Sequence, residues 1–266
     1  MTRAPLSFAD LLAEALREPG RISEAYSLFH TYSIGNAFAA LSQCLARDLT
    51  PGPIATFHRW KELGRHVRKG AKAIVLCMPV TCKREREGED GATVEDRFTR
   101  FVWRPNWFVL AQTEGTDEPA PIAAPGWDAD AALSALAIER VPFEHMDGNA
   151  QGYARGRSVA VSPLAENPVK TMLHELAHVV LGHTQAAECS DAGELTRAER
   201  EVEAEGTAYI CGSVLGIGGL EKSRGYLQTW LGEGSVSERS AARIFKTADT
   251  ILKAGRPGEA EPCVQS

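Results

Sequence analysis

The chain has no Cys-x-x-Cys pair, no long apolar run and no overall positive charge, and each absence excludes a class of function. Its six cysteines stand at 44, 77, 82, 189, 211 and 263, a scatter that argues against a thiolate-held structural zinc and suits a reducing compartment. No apolar stretch approaches the roughly 20 residues that a bilayer crossing requires. Met1 to Pro5 lead into an amphipathic segment carrying Asp10 and Glu14, not the unbroken apolar core of a secretory leader. The expectation is a cytoplasmic protein with no membrane partner. The net charge of -6 is unevenly shared: through Gly115 there are 16 Lys and Arg against 13 Asp and Glu, and the remainder carries 13 against 22. The first part is therefore the one that suits an anionic partner.

With 266 residues and 28.8 kDa the chain exceeds the usual single-domain size, and two α+β domains are expected, each large enough for its own core. Residues 113–126 are rich in Pro, Gly, Ala and acid and read as a boundary that holds no regular element. This sets a domain over 1–115, a linker over 116–126, a second domain over 127–255 and a disordered tail over 256–266. Before the boundary, the spacing predicts helices over 8–16 and 25–45, a short helix or turn over 60–67, and strands over 73–80, 98–103 and 107–111. Between the first two strands, Lys83 to Asp90 is mixed in sign and reads as a mobile loop. Beyond the boundary, helices are expected over 128–137, 224–231 and 237–253, with Ala241, Ile244, Phe245, Ala248, Ile251 and Leu252 on one face of the last. Ser158 to Ser162 reads as a strand.

The most informative stretch is His174-Glu175-Leu176-Ala177-His178. A helix carries residues four apart onto one face, so both imidazoles point at a common centre, and Glu175 stands beside the first. That pattern is the metal-binding motif of zinc metallopeptidases, in which the glutamate takes a proton from water. Asn167 and Pro168 suit the start of its helix and Gly182 its end. In zincins the strand before this helix lies beside an edge that receives an extended peptide, and Ser158 to Ser162 resembles it.

Such a site needs a third protein ligand and leaves one position open. In the segment Arg200 to Ile210, Glu201 and Glu205 lie four apart on one helical face, whereas Glu203 points away from both. Glu201 is the expected ligand, with Glu205 hydrogen-bonded to the far nitrogen of a ligating histidine; the swapped assignment, Glu205 as ligand, stays open because spacing alone cannot separate them. His183 follows His178 by five residues, where a third-histidine site would need six, so it is expected to be a satisfied or exposed residue at a helix end. The expected cation is Zn²⁺, with another divalent metal such as Mn²⁺ as the alternative.

In the first domain, Arg59, Trp60, Lys61, Arg65, Arg68, Lys69 and Lys72 interleave cations with an aromatic residue. Basic groups neutralise phosphates and exposed aromatic faces stack on unpaired bases, so this segment is the expected contact for single-stranded DNA. The competing expectation places Trp60 in the core of a charged turn.

Three N-terminal segments, Tyr32 to Asn36, Trp60 to Gly70 and Phe108 to Gly115, resemble the single-stranded-DNA-binding domain of ArdC-like antirestriction proteins. The His174 to His178 motif, Glu201 with Glu205, Ser223 to Trp230 and Ile244 to Asp249 resemble the zincin-like metallopeptidase domain of the same family. The resemblance implies a protein of plasmids or phages that binds entering single-stranded DNA and protects it from restriction. It also implies a zincin-like metallopeptidase site, and with Glu175 as its base the expected reaction is hydrolysis of a host protein. Tyr209, Tyr226 and Arg224 are the candidates to steady an oxyanion. The alternative is a DNA-binding shield whose metal site is structural or regulatory.

Overall fold

The computed structural model describes residues 7–87, 93–115, 123–144, 150–185, 195–232 and 236–257. Two units are distinguished, one formed by Met1–Phe38 with Ile122–Ser266 and the other by Ala39–Pro121. Both mix helices and strands, as expected. Of the calls on the boundary and the tail, residues 116–122 and 258–266 lie outside the described residues.

In the smaller unit, β1 (Ile54–Thr56), β3 (Ile74–Glu87) and β4 (Thr93–Val109) form an antiparallel sheet in the order β1-β4-β3. The expected strands over 98–103 and 107–111 are one strand, because β4 pairs first with β3 and then with β1 along its length. The charged segment expected as a loop continues β3 as far as Glu87, which pairs with Thr93. A backbone ladder needs only a partner strand, and β4 supplies one whatever the side-chain charge. Behind the sheet, α3 (Ile34–Leu45) contributes Gln43, whose amide donates to the Val75 carbonyl at 2.8 Å while its oxygen accepts from Val75 N–H at 2.9 Å. The helix α4 (Phe57–Glu62) is capped by the Thr56 hydroxyl and followed by β2 (His66–Val67). That short strand pairs with β5 (Thr113–Glu114), beyond the 3-10 turn η1 (Leu110–Gln112), so the first residues of the expected boundary hold a regular element.

In the larger unit, the expected helix over 25–45 is two helices, α2 (Arg21–Phe29) and α3. Thr31, Tyr32 and Ser33 favour helix interiors weakly, and the N–H of Ile34 that the break exposes donates to Asp249 at 3.2 Å. The helix α1 (Phe8–Arg17) belongs to this unit as well: Phe8 N–H and Ala9 N–H both donate to the Glu238 carboxylate at 2.9 Å, and the Phe8 ring lies 5.7 Å from that of Phe245. The unit division therefore differs from the expected domain over 1–115 at its N-terminal end, since residues up to 38 share a core with the C-terminal helices.

The helix α5 (Ala129–Ala135) precedes a three-stranded sheet of β6 (Glu139–Arg140), β7 (Gly152–Arg155) and β8 (Ser158–Val161), ordered β6-β8-β7. The strand read from the sequence is β8, and it is central, not at an edge. The two short strands that flank it had no signal, being too short and too polar for a period to show. The remaining helices are α6 (Pro168–Val180), α7 (Arg197–Val214), α8 (Glu221–Gly232) and α9 (Glu238–Ala254). All six apolar residues expected on one face of α9 are buried, and large side chains of that kind stabilise by about 1.5–3 kcal/mol each. Among the described residues, no helix is long and apolar enough to cross a membrane.

Candidate metal centre

Two helix starts set the geometry. The Asn167 side chain accepts from Lys170 N–H with Pro168 in the first turn of α6, and Thr196 and Glu199 form a reciprocal cap at the start of α7. The two helices pack together and turn the motif of α6 toward Glu201 and Glu205 of α7.

His174 Nε2 lies 3.1 Å from His178 Nε2, and Glu201 Oε2 lies 3.4 and 3.6 Å from these two nitrogens. A tetrahedral cation with ligand bonds of about 2.0–2.1 Å separates its ligand atoms by about 3.3–3.4 Å, so the three donors fit a divalent ion without rearrangement. They are the group of potential ligands that stands together among the described residues. Glu205 lies on the other side of the same ring: its Oε2 is 2.9 Å from His174 Nδ1 and its Oε1 is 2.8 Å from Lys170 Nζ.

Burial disfavours the charged His174 ring, yet its hydrogen bonds to Glu201 and Glu205 raise its pKa to about 9. Those same bonds to His174 and His178 hold Glu201 well below the usual carboxylate range. Glu205 is pushed down to about 2, because His174 and Lys170 outweigh its burial. Glu175 moves the other way, raised by burial in spite of the neighbouring imidazoles. It is therefore the more basic carboxyl of the cluster, as a proton acceptor should be. Gly152 of β7 faces it, and a Cβ there would meet Thr171 Cγ2 at 2.7 Å and Glu175 Cγ at 3.1 Å, so a glycine is what lets this strand approach α6.

His183 is neither exposed nor idle. Gly182, with φ 77, ends α6 in the left-handed region and turns His183 back, so that its Nδ1 lies 3.0 Å from His178 Nδ1 and its Nε2 lies 3.1 Å from Glu203 Oε2. Glu203 points away from Glu201 as expected, but into the core, not solvent. Arg243 Nε of α9 donates to the same Oε2 at 3.0 Å and its Nη2 to the Leu181 carbonyl at 2.9 Å. Burial opposes the charge on Glu203, yet His183 and Arg243 hold its pKa down; burial pushes that of His183 down as well.

The basic segment of the smaller unit is split by burial. Trp60 is 1% exposed, with its indole N–H donating to the Phe108 carbonyl, and Arg65 is 5% exposed, with Nε on the Thr113 hydroxyl and Nη1 on the Gly115 carbonyl. Neither presents a face to a nucleic acid, which corrects the stacking role expected of Trp60. Arg59, Lys61, Arg68, Lys69 and Lys72 are exposed. The last three line a groove of about 490 Å³ with Arg47, Gly70 and Gln112. The exposed aromatics of this unit are Phe57, beside Arg59 on α4, and Phe98 and Phe101 of β4, which alternate with Arg97, Arg100 and Arg104.

Residues 15–106 match the family model of the N-terminal domain of anti-restriction factor ArdC. The fold matches the crystal structure of the antirestriction ArdC protein from the R388 plasmid in its metal-free form, with a TM-score of 0.56 and 20% identity over 93% of both chains. It matches the Mn(II)-bound form of that protein with the same TM-score and 19% identity, over 95% of this chain and 98% of that one. In its N-terminal domain and in its fold the chain resembles ArdC. No curated protein matches it.

The sequence reading assigned His183 and Glu203 no part in the site and did not single out Arg243; all three reach it only through tertiary contacts. One signal pointed to them, a glutamate on the apolar face of α7 at the level of Val202 and Gly206. It also passed over Phe98 and Phe101, which the register of β4 leaves on the surface.

Proposed function

We propose that the chain is an antirestriction protein that binds single-stranded DNA through the unit 39–121 and carries a zinc-dependent peptidase site in its larger unit. The observation that carries the peptidase reading is the tetrahedral spacing of His174, His178 and Glu201 beside a glutamate that is not a ligand. A purely structural zinc has no use for that base. The cation, Zn²⁺ or Mn²⁺, would supply Lewis-acid chemistry, polarising a peptide carbonyl and making water more acidic. Glu175 takes the proton from the attacking water and returns it to the leaving amine. Glu205 fixes His174 with its proton on Nδ1 and Nε2 toward the cation. Of the oxyanion candidates, Tyr209 is buried with its hydroxyl directed to the Ala15 carbonyl, whereas Tyr226 is exposed and within electrostatic reach of Glu201 and Glu205. Tyr226 is the better choice. A peptide adding to the edge of β7 would run beside Glu175.

The DNA reading rests on the match to the ArdC N-terminal domain and on the exposed cations with Phe98 and Phe101. Cys44, Cys82 and Cys211 are free thiols, which suits the cytoplasm, where such DNA arrives. Metal analysis of the purified protein, joined to a proteolysis assay with and without single-stranded DNA, tests the whole reading. Cleavage that follows metal content supports it, and bound metal without cleavage of any protein leaves the DNA-binding shield.

A further inference from the structure

The two histidines of the site are held in different ways. His174 Nδ1 meets the Glu205 carboxylate directly, but His178 Nδ1 meets a second imidazole, which could donate or accept. The direction of that bond is set on the far side of the His183 ring. For His178 Nε2 to face a cation its proton must sit on Nδ1, and His183 Nδ1 must then be bare. A bare Nδ1 places the His183 proton on Nε2, 3.1 Å from Glu203 Oε2. Glu203 Oε2 accepts it, and Arg243 Nε, donating to the same oxygen at 3.0 Å, holds that carboxyl in place. His183 and Glu203 are almost wholly buried, so water does not offer His178 a substitute partner on this side.

We propose that His183, Glu203 and Arg243 form a relay that fixes the tautomer of His178 and thereby sets the affinity of the site for a divalent cation. All three are positioning residues, and none of them touches the cation. The inference rests on the reading of His174, His178 and Glu201 as the cation site. It ties that site to the loop after α6 and to α9, elements that carry no ligand.

The test uses the full-length protein, with Zn²⁺ affinity measured by competition against a chromophoric chelator. His183→Phe removes the acceptor and should weaken Zn²⁺ binding by about 10–100-fold, the usual effect of losing such a partner. His183→Gln, which returns an accepting oxygen, should recover part of the loss, and Glu203→Gln, which still accepts from His183, should be milder than His183→Phe. The parent chain gives an independent result: two-bond proton–nitrogen spectra of the Zn²⁺-loaded protein should show His178 protonated on Nδ1 and His183 on Nε2. A His183 protonated on Nδ1, or His183→Phe binding as tightly as the parent, overturns the relay while the metal site stands. A parent chain that binds no Zn²⁺ overturns the site and the relay together.

Discussion

Glu205 Oε2 and His174 Nδ1 are 2.9 Å apart, on the side of the ring that faces away from Glu201. One helical turn of α7 thus separates a carboxylate able to hold a cation from one that steadies its ligand. Glu201→Ala should abolish tight metal binding, whereas Glu205→Gln should weaken it by about 10–100-fold. Chelator competition on the two variants checks the order, and the reverse order would move the ligand to Glu205.

A proton competes with the cation for His174. Without metal its pKa of about 9 stands above the ordinary 6.5, so its contribution to stability is complete below 6.5 and is lost as the pH rises through 9. Metal binding has the opposite slope, because the proton must leave. Affinity should rise by up to about tenfold per pH unit across neutrality and level off near pH 9. Titrations over this range decide it, and a plateau already reached below neutrality would remove the competing proton.

Removing the base should separate binding from chemistry. Glu175→Ala should keep the metal and lose peptidase activity, while His174→Ala should lose both. Undiminished cleavage by Glu175→Ala would show that another group accepts the proton.

Gly152 offers a gentler perturbation of the same carboxylate. Gly152→Ala inserts a methyl 2.9 Å from the Ala160 carbonyl, which cannot yield as a side chain can. The expected loss is about 1–3 kcal/mol of stability, read by thermal melting, with reduced activity at unchanged metal content. Parent-like melting and activity would show that β7 has room to move.

In the smaller unit, one aromatic residue serves the core and others the surface. Trp60→Ala should lower stability by about 3–5 kcal/mol, since a large buried ring and its hydrogen bond are lost. Phe101, 62% exposed, should behave inversely: Phe101→Ala should leave the melting temperature almost unchanged and weaken single-stranded DNA binding by about 1–3 kcal/mol. Fluorescence polarisation with a labelled oligonucleotide at two salt concentrations checks both, because phosphate contacts must weaken as salt rises.

The sequence was most legible where the physics is local. A four-residue spacing puts His174 and His178 on one face, and a 3.6-residue period marks α9, so neither depended on the rest of the chain. Spacing could not choose between Glu201 and Glu205, because that choice depends on which side of an imidazole each carboxylate reaches, a property of the packing of α6 on α7. Trp60 followed the same rule: a tryptophan among cations reads alike whether it faces water or the core, and Phe108 decided the matter from 48 residues away. The break between α2 and α3 escaped the helical period, because the Ile34 N–H that it frees is satisfied by Asp249, 215 residues on.

That pairing of α1 and α3 with α9 bears on the order in which the protein takes shape. Residues 39–121 are contiguous, so their contacts can close as soon as they leave the ribosome. The first helices have to wait, because Glu238 and Asp249, which receive them, follow 230 and 215 residues later. The larger unit is thus the slower to complete, with high contact order by construction. A fragment ending near residue 115 would contain α1 and α2 without the helices that cover them, whereas the contacts of residues 39–121 lie within that contiguous stretch.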